Sequence, residues 1–107
     1  MWVLRAAGPD GSVDPVDSLT FRLTAGSVKT MGRTPRADFI LKAPLVSRVH
    51  CRLTAHSLSR LEVQDLDSTN GTYVNGHRVS RADLKPGDRL RIGRAEFAVA
   101  AESSSRT

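Results

Sequence analysis

Cysteine, aromatic residues and long apolar runs are all scarce in this 107-residue sequence. A single cysteine, Cys51, excludes an internal disulfide and any cysteine-rich zinc site, and it fits a reducing, intracellular setting. One tryptophan, one tyrosine and three phenylalanines are too few, and too far from the basic runs, to form a stacking platform for single-stranded nucleic acid. No apolar stretch approaches the roughly 20 residues that span a bilayer, and the opening MWVLRAAGPDG lacks the basic leader and apolar core of a secretory signal. The sequence therefore reads as a soluble protein with no membrane partner. A 3.6-residue apolar period persisting beyond two turns is also missing, as is any repeat of 20 to 50 residues.

Catalytic signatures are absent too. Ser47, His50 and Asp67 supply the residue types of a triad, but no G-x-S-x-G elbow or oxyanion-hole cue accompanies them. His50 beside Cys51 has no further ligand at usable spacing, so no metal site is expected and His50 reads as structural. The expectation is a binding protein, without cofactor, rather than an enzyme.

Short β-like segments separated by turn residues are what the sequence does have. Trp2 to Ala6 reads as a first strand closed by Gly8-Pro9-Asp10-Gly11, with Asp14-Pro15 continuing a loop. Leu19, Phe21 and Leu23 alternate onto one face, Val28 to Met31 ends at Gly32-Arg33, and Phe39-Ile40-Leu41 reads as a short buried strand. Val49 to Leu53 also alternates, which puts Val49, Cys51 and Leu53 on one face and His50 and Arg52 on the other. Ala55-His56-Ser57 is read as a turn and Arg60 to Leu66 as the next strand. Thr72-Tyr73-Val74 and His77-Arg78-Val79 flank Asn75-Gly76, a pair suited to the positive φ values of a two-residue I′ hairpin. After a turn at Leu84 to Asp88 come strands around Leu90 and Ile92 and around Phe97 and Val99, joined by Gly93-Arg94. One all-β domain follows, a sandwich or a barrel. It is assigned to residues 1–101, with 102–107 as a flexible tail or the start of a linker.

The formal net charge of +5 is unevenly placed. Lys29, Arg33, Arg36, Lys42, Arg48 and Arg52 face only Asp38 between residues 27 and 52, while the remaining segments sum to zero. A concentrated basic segment calls for an anionic partner. In a sandwich, the turns at Gly32-Arg33, Ser47-Arg48 and Ser68 to Gly71 can gather at one end, offering guanidinium groups, hydroxyls and backbone N–H groups. These are the groups that hold a phosphate.

Three motifs, G-R at Gly32-Arg33, S-R-x-H at Ser47 to His50 and D-x-x-S-T-N-G-T-x-x-N-G at Asp65 to Gly76, resemble the forkhead-associated (FHA) domain, which binds phosphothreonine peptides; the resemblance implies an all-β fold, a two-sheet antiparallel β-sandwich with ligand loops at one end. The resemblance implies that Arg33, Ser47, Arg48 and Thr69 hold the phosphate and that Asn70 binds the peptide main chain. It implies that Leu45 senses a residue after the phosphothreonine, and that Gly32, His50, Gly71 and Asn75 shape the loops. The partner would then be a phosphothreonine-containing protein in signalling or the DNA-damage response, bound by a monomeric domain. Met1-Trp2-Val3-Leu4 and Ala6-Ala7-Gly8 further resemble the start of nibrin-type DNA-break proteins. Two other readings use the same residues: a basic β domain binding nucleic acid, and an FHA-like scaffold for phosphate-independent association. Arg94 rivals Arg33 because both follow a glycine at a strand end; Arg36, Lys42 and Arg52 read as solvated charges.

Overall fold

Alternating segments this short bury an apolar face only by pairing with one another, and that pairing builds the molecule. The structure, a computed structural model, describes residues 1–7 and 20–102. Among these it contains β1 (Trp2–Ala7), β2 (Thr20–Leu23), β3 (Val28–Gly32), β4 (Phe39–Ile40), β5 (Cys51–Ser57) and β6 (Arg60–Asp65). The second half adds β7 (Thr72–Val74), β8 (His77–Val79), β9 (Arg81–Leu84), β10 (Arg89–Ile92) and β11 (Ala95–Ala101). One sheet runs β2-β1-β11-β10-β7-β8 and the other β4-β3-β5-β6-β9. Pairing is antiparallel except for β3 with β4, which run parallel. The two-sheet all-β sandwich expected from the sequence is what forms.

Period-two alternation sends Leu4, Val74, Leu90, Phe97 and Val99 from one sheet, and Leu53, Ala55, Leu61, Val63 and Leu84 from the other, into a single core. Burial of each large member contributes roughly 1.5–3 kcal/mol. Phe21 on β2 stacks on Phe39 of β4, with centroids 4.6 Å apart, and so links the sheets along one side. The Trp2 indole N–H donates to the Ser57 carbonyl at 2.9 Å and ties β1 to the end of β5.

Local boundaries depart from the sequence expectation in informative ways. The fifth strand begins at Cys51, not Val49, because the residues before it are taken by loop bonds: His50 N donates to Met31 O at 2.8 Å and Leu66 N to His50 O at 3.0 Å. His50 is fully buried. Ala55 to Ser57 continue that strand instead of turning, with a register shift between Ala55 and Ser57. Ile40 is exposed, so Phe39-Ile40 is an edge strand and not a buried one. Strand β9 went unread because Arg-Ala-Asp-Leu has little β character; pairing with β6 makes it a strand. The expected turn at Gly8 to Gly11 and the loop at Asp14-Pro15 lie outside the described residues. Glu102, assigned to the tail, is held to β1: its N–H donates to Met1 O at 2.7 Å and its carboxylate pairs with Arg5 at 2.7 Å.

Candidate functional site

Strand direction decides where the loops meet. Since β5 is antiparallel to both β3 and β6, the C-terminal ends of β3 and β6 lie beside the start of β5. Ile92 pairs with Thr72, which brings the end of β10 and the start of β7 to one end of the other sheet. An open cleft of about 900 Å³ lies at the loop end, lined by Arg33, Arg36, Pro44, Leu45, Val46, Ser47, Arg48, Val49, Asp67, Thr69 and Asn70. Every residue that the sequence reading assigned to the ligand is in that lining. Arg94 is not, which favours Arg33 over its rival. Arg36, read as a solvated charge, is exposed and also lines the cleft: the turn closed by Ala37 N to Thr34 O at 3.0 Å carries it to the rim.

Each polar group is presented by a definite contact. Arg33 N donates to Ser47 O at 2.9 Å and Arg33 Nε to Val46 O at 3.0 Å, which anchors the inner edge of the guanidinium and leaves its two terminal amino groups for a ligand. Ser47 Oγ accepts the Thr69 N–H at 3.1 Å, so the two loops are joined and the hydroxyl proton is left to donate. Asn70 Nδ2 donates to Leu45 O at 3.1 Å, leaving the Asn70 Oδ1 atom available. Leu45, 47% exposed beside the cleft, is held at φ 70°, a conformation disfavoured for leucine.

Behind these residues stands a buried support. A backbone N–H can only donate and a carbonyl only accept, so the His50 tautomer is fixed by its partners. Nδ1 accepts from Ser47 N at 3.0 Å, and Nε2–H donates to Gly71 O at 2.8 Å. His50 thereby couples the Ser47 loop to the Asn70 loop. Gly32 is required by close approach: a Cβ there would stand 2.8 Å from the Val49 Cα, against the loop segment that leads from Ser47 into β5. Gly71 has φ +90°. Asn75, at φ 51° in the β7–β8 turn, bonds through its side chain to Asp88 at 3.0 Å and to Arg89 N at 2.9 Å, bracing the hairpin from outside the cleft.

Sequence reasoning missed the brace formed by Asp65, Ser68 and Thr72. The Asp65 carboxylate accepts from the Ser68 hydroxyl, from Ser68 N at 3.1 Å and from Thr72 Oγ1 at 2.7 Å, while Ser68 Oγ accepts from Gly71 N at 2.9 Å. Burial alone would raise the Asp65 pKa, but the hydrogen bonds from Ser68 and Thr72 outweigh it and hold the carboxyl below its ordinary value. The spacing of Asp65, Ser68 and Thr72 around the first Asn-Gly pair was the available signal. Asp67, at φ 55°, adds a carboxylate to the cleft wall; the sequence reading weighed it only as a member of a triad.

Taken together, the sandwich and its loop end define an anion-binding β module, with arginines, a hydroxyl and an amide converging on an open cleft. A family model for the FHA domain matches residues 29–93, more than half of the sequence, and the chain belongs to the FHA family. It is 38% identical over 82 residues to the ABC transporter ATP-binding/permease protein Rv1747 of Mycobacterium tuberculosis, covering 77% of this chain and 9% of that protein. It is 34% identical over 94 residues to the DNA damage response protein kinase DUN1 of Saccharomyces cerevisiae, covering 79% of this chain and 18% of the kinase. The chain thus spans only a small part of the length of either relative. Its fold matches a solved structure from a structural and functional analysis of phosphothreonine-dependent FHA domain interactions, with TM-score 0.78 and 30% identity over 95% of this chain and 97% of that one. The family assignment stands without the nibrin-type resemblance of the opening residues.

Proposed function

We propose that this domain is an interaction module, not an enzyme, that captures a phosphothreonine-containing segment of a partner protein in the cleft between the β3–β4, β4–β5 and β6–β7 loops. The observation that carries the reading is the pairing of Ser47 with Thr69: the amide occupies an acceptor site on the hydroxyl oxygen and leaves the proton to donate to an anion. Arg33, with Nε committed to Val46 O, offers a planar pair of donors that matches two phosphate oxygens. Arg48 adds a second cation, Thr69 supports the pocket wall and Asn70 takes the main chain of the ligand beside the modified residue. Leu45 faces a residue following it and favours an uncharged one.

A phosphate carries a charge of about −2, and each charge-assisted hydrogen bond to it is worth roughly 1.5–3 kcal/mol. Two or three such bonds, offset by the ordering of a flexible peptide, give affinity on the order of micromolar. Glutamate has less charge and a different shape, so it is a poor substitute. Recruitment of a phosphorylated partner in kinase signalling, a DNA-damage response included, fits the family and the named yeast relative. The domain is read as intracellular, monomeric in isolation and without a direct nucleic-acid ligand in this cleft. Isothermal titration with a phosphothreonine peptide library, set against phosphoserine and unphosphorylated versions, tests this on wild type and Arg33→Ala. Equal binding by the variant, or indifference to phosphorylation, would overturn the assignment.

A further inference from the structure

Strand register assembles a second basic surface that linear charge counting hides. Side chains directly opposite one another on neighbouring strands share a face. Across β8, β7, β10 and β11 the row reads Arg78, Tyr73, Arg91 and Glu96, and the next row, across β10, β11 and β1, reads Arg89, Ala98 and Arg5. Their chain neighbours Val74, Leu90, Ile92 and Phe97 are buried, so both rows lie on the outward face of the six-stranded sheet. Arg89 pairs with Glu96 at 3.2 Å and Arg5 with Glu102 at 2.7 Å. Arg91 lies over the Tyr73 ring, 4.1 Å from its centroid. Among the described residues no carboxylate pairs with Arg78 or Arg91. On the outward face of the other sheet Glu62 meets both His56 and Arg81, Asp83 meets Arg60, and Arg52 is taken up by the Gln64 amide at 2.7 Å.

We propose that the Arg78–Tyr73–Arg91 face is a second docking surface, distinct from the cleft, that takes an acidic segment of polypeptide. Three observations select that occupant. Among the described residues the face is sheet alone, with no helix or ribbon standing off it to enter a groove of duplex nucleic acid. Arg91 covers a face of the Tyr73 ring, which competes with stacking of a base. Glu96 and Glu102 interrupt the positive charge; a uniformly charged phosphate backbone is repelled there, whereas a polypeptide can place neutral residues opposite them.

The surface also continues from the cleft. A Cβ on Gly71 would stand 2.8 Å from Arg78 Nε, so the Arg78 side chain covers the residue next to Asn70, which lines the cleft. An acidic stretch on the same partner as the phosphothreonine would run from one onto the other. That continuity rests on the phosphopeptide reading of the cleft; the surface itself does not.

The test is titration of an isotopically labelled domain with an unphosphorylated peptide in which glutamates alternate with neutral residues, followed by amide chemical shifts. Shifts are expected at Tyr73, Arg78 and Arg91 and not at Ser47 or Thr69, and the double variant Arg78→Gln/Arg91→Gln should weaken binding by roughly five- to tenfold. Its unfolding midpoint in urea checks that the variant is folded. Absent shifts, shifts confined to the cleft, or undiminished binding by the variant would overturn the proposal. So would tighter binding of a DNA duplex or of anionic vesicles at the same amides, because the occupant would then be of another class. A phosphothreonine peptide without acidic residues, bound equally by wild type and the double variant, separates this surface from the cleft: its failure to bind wild type counts against the cleft reading alone.

Discussion

The Ser47 hydroxyl oxygen accepts the backbone N–H of Thr69 at 3.1 Å, a bond between two loops that are 22 residues apart in sequence. It makes one oxygen serve two purposes, closing the wall of the cleft on one side and directing a proton into it on the other.

Ser47→Ala removes both. Loss of one charge-assisted bond to phosphate costs roughly 1.5–3 kcal/mol, so affinity for a phosphothreonine peptide should fall about 10- to 100-fold. Stability should change little, because the Thr69 amide is exposed and water replaces its partner. Titration calorimetry and urea unfolding of the same variant separate the two effects; a large stability loss with unchanged affinity would make Ser47 a structural residue only.

Arg33→Lys tests geometry against charge. Lysine keeps the positive charge but has no Nε to bond Val46 O and no planar pair of donors. Affinity is expected to fall about tenfold or more, close to the loss in Arg33→Ala, with a binding enthalpy reduced in step. Retention of wild-type affinity would show that a point charge suffices.

The residues legible in the sequence are those whose role is local or carried by a motif. Arg33, Ser47, Thr69 and Asn70 could be placed because turn chemistry brackets them, and the Asn75-Gly76 hairpin because both residues take positive φ, 51° and 84°. Arg36 could not, since only the turn between Thr34 and Ala37 sets its direction. The pairing of Arg78 and Arg91 through Tyr73 was equally hidden, because it exists only once β8, β7 and β10 are in register. The burial of His50 depends on where β5 starts, and tertiary bonds to Met31 and Leu66 decide that.

Gly32→Ala should damage the site through the fold. The added Cβ meets backbone, at 2.8 Å from Val49 Cα, and backbone cannot rotate aside as a side chain can. Overpacking of this kind costs roughly 1–3 kcal/mol, and the shift falls on the segment that delivers Ser47 and Arg48. A lowered urea midpoint together with weakened phosphopeptide binding is expected; an unchanged midpoint would mean that the β3 and β5 strands separate freely here.

Asp65→Asn should reveal the brace through pH. The folded carboxyl titrates below its ordinary 3.8, so between its lowered folded value and 3.8 the unfolded chain binds more protons and stability rises with pH. The contribution is fully present above about 3.8 and fades as pH falls through the folded value. At pH 7 the variant should be less stable than wild type by about 1–2 kcal/mol, since hydrogen bonds to a carboxylate are lost from a partly exposed site. The gap should narrow in urea titrations carried out below pH 4, a value near the ordinary carboxyl range. A constant gap would assign the brace to packing instead of charge.

Cys51 offers the complementary test at high pH. Burial pushes its thiol up to about 12 from an ordinary 9.0, with the Asp65 carboxylate adding to the rise. The reactive species is the thiolate, so the native thiol should resist a thiol reagent at mildly alkaline pH and react only when the chain opens. Between 9.0 and about 12 the unfolded chain has released a proton that the native chain retains, so stability should fall as pH rises through that window. Labelling followed by mass spectrometry should give a rate that increases with urea and is faster in Gly32→Ala than in wild type. Rapid labelling of the native protein, at a rate independent of urea, would show that the interior between β3 and β6 opens without unfolding.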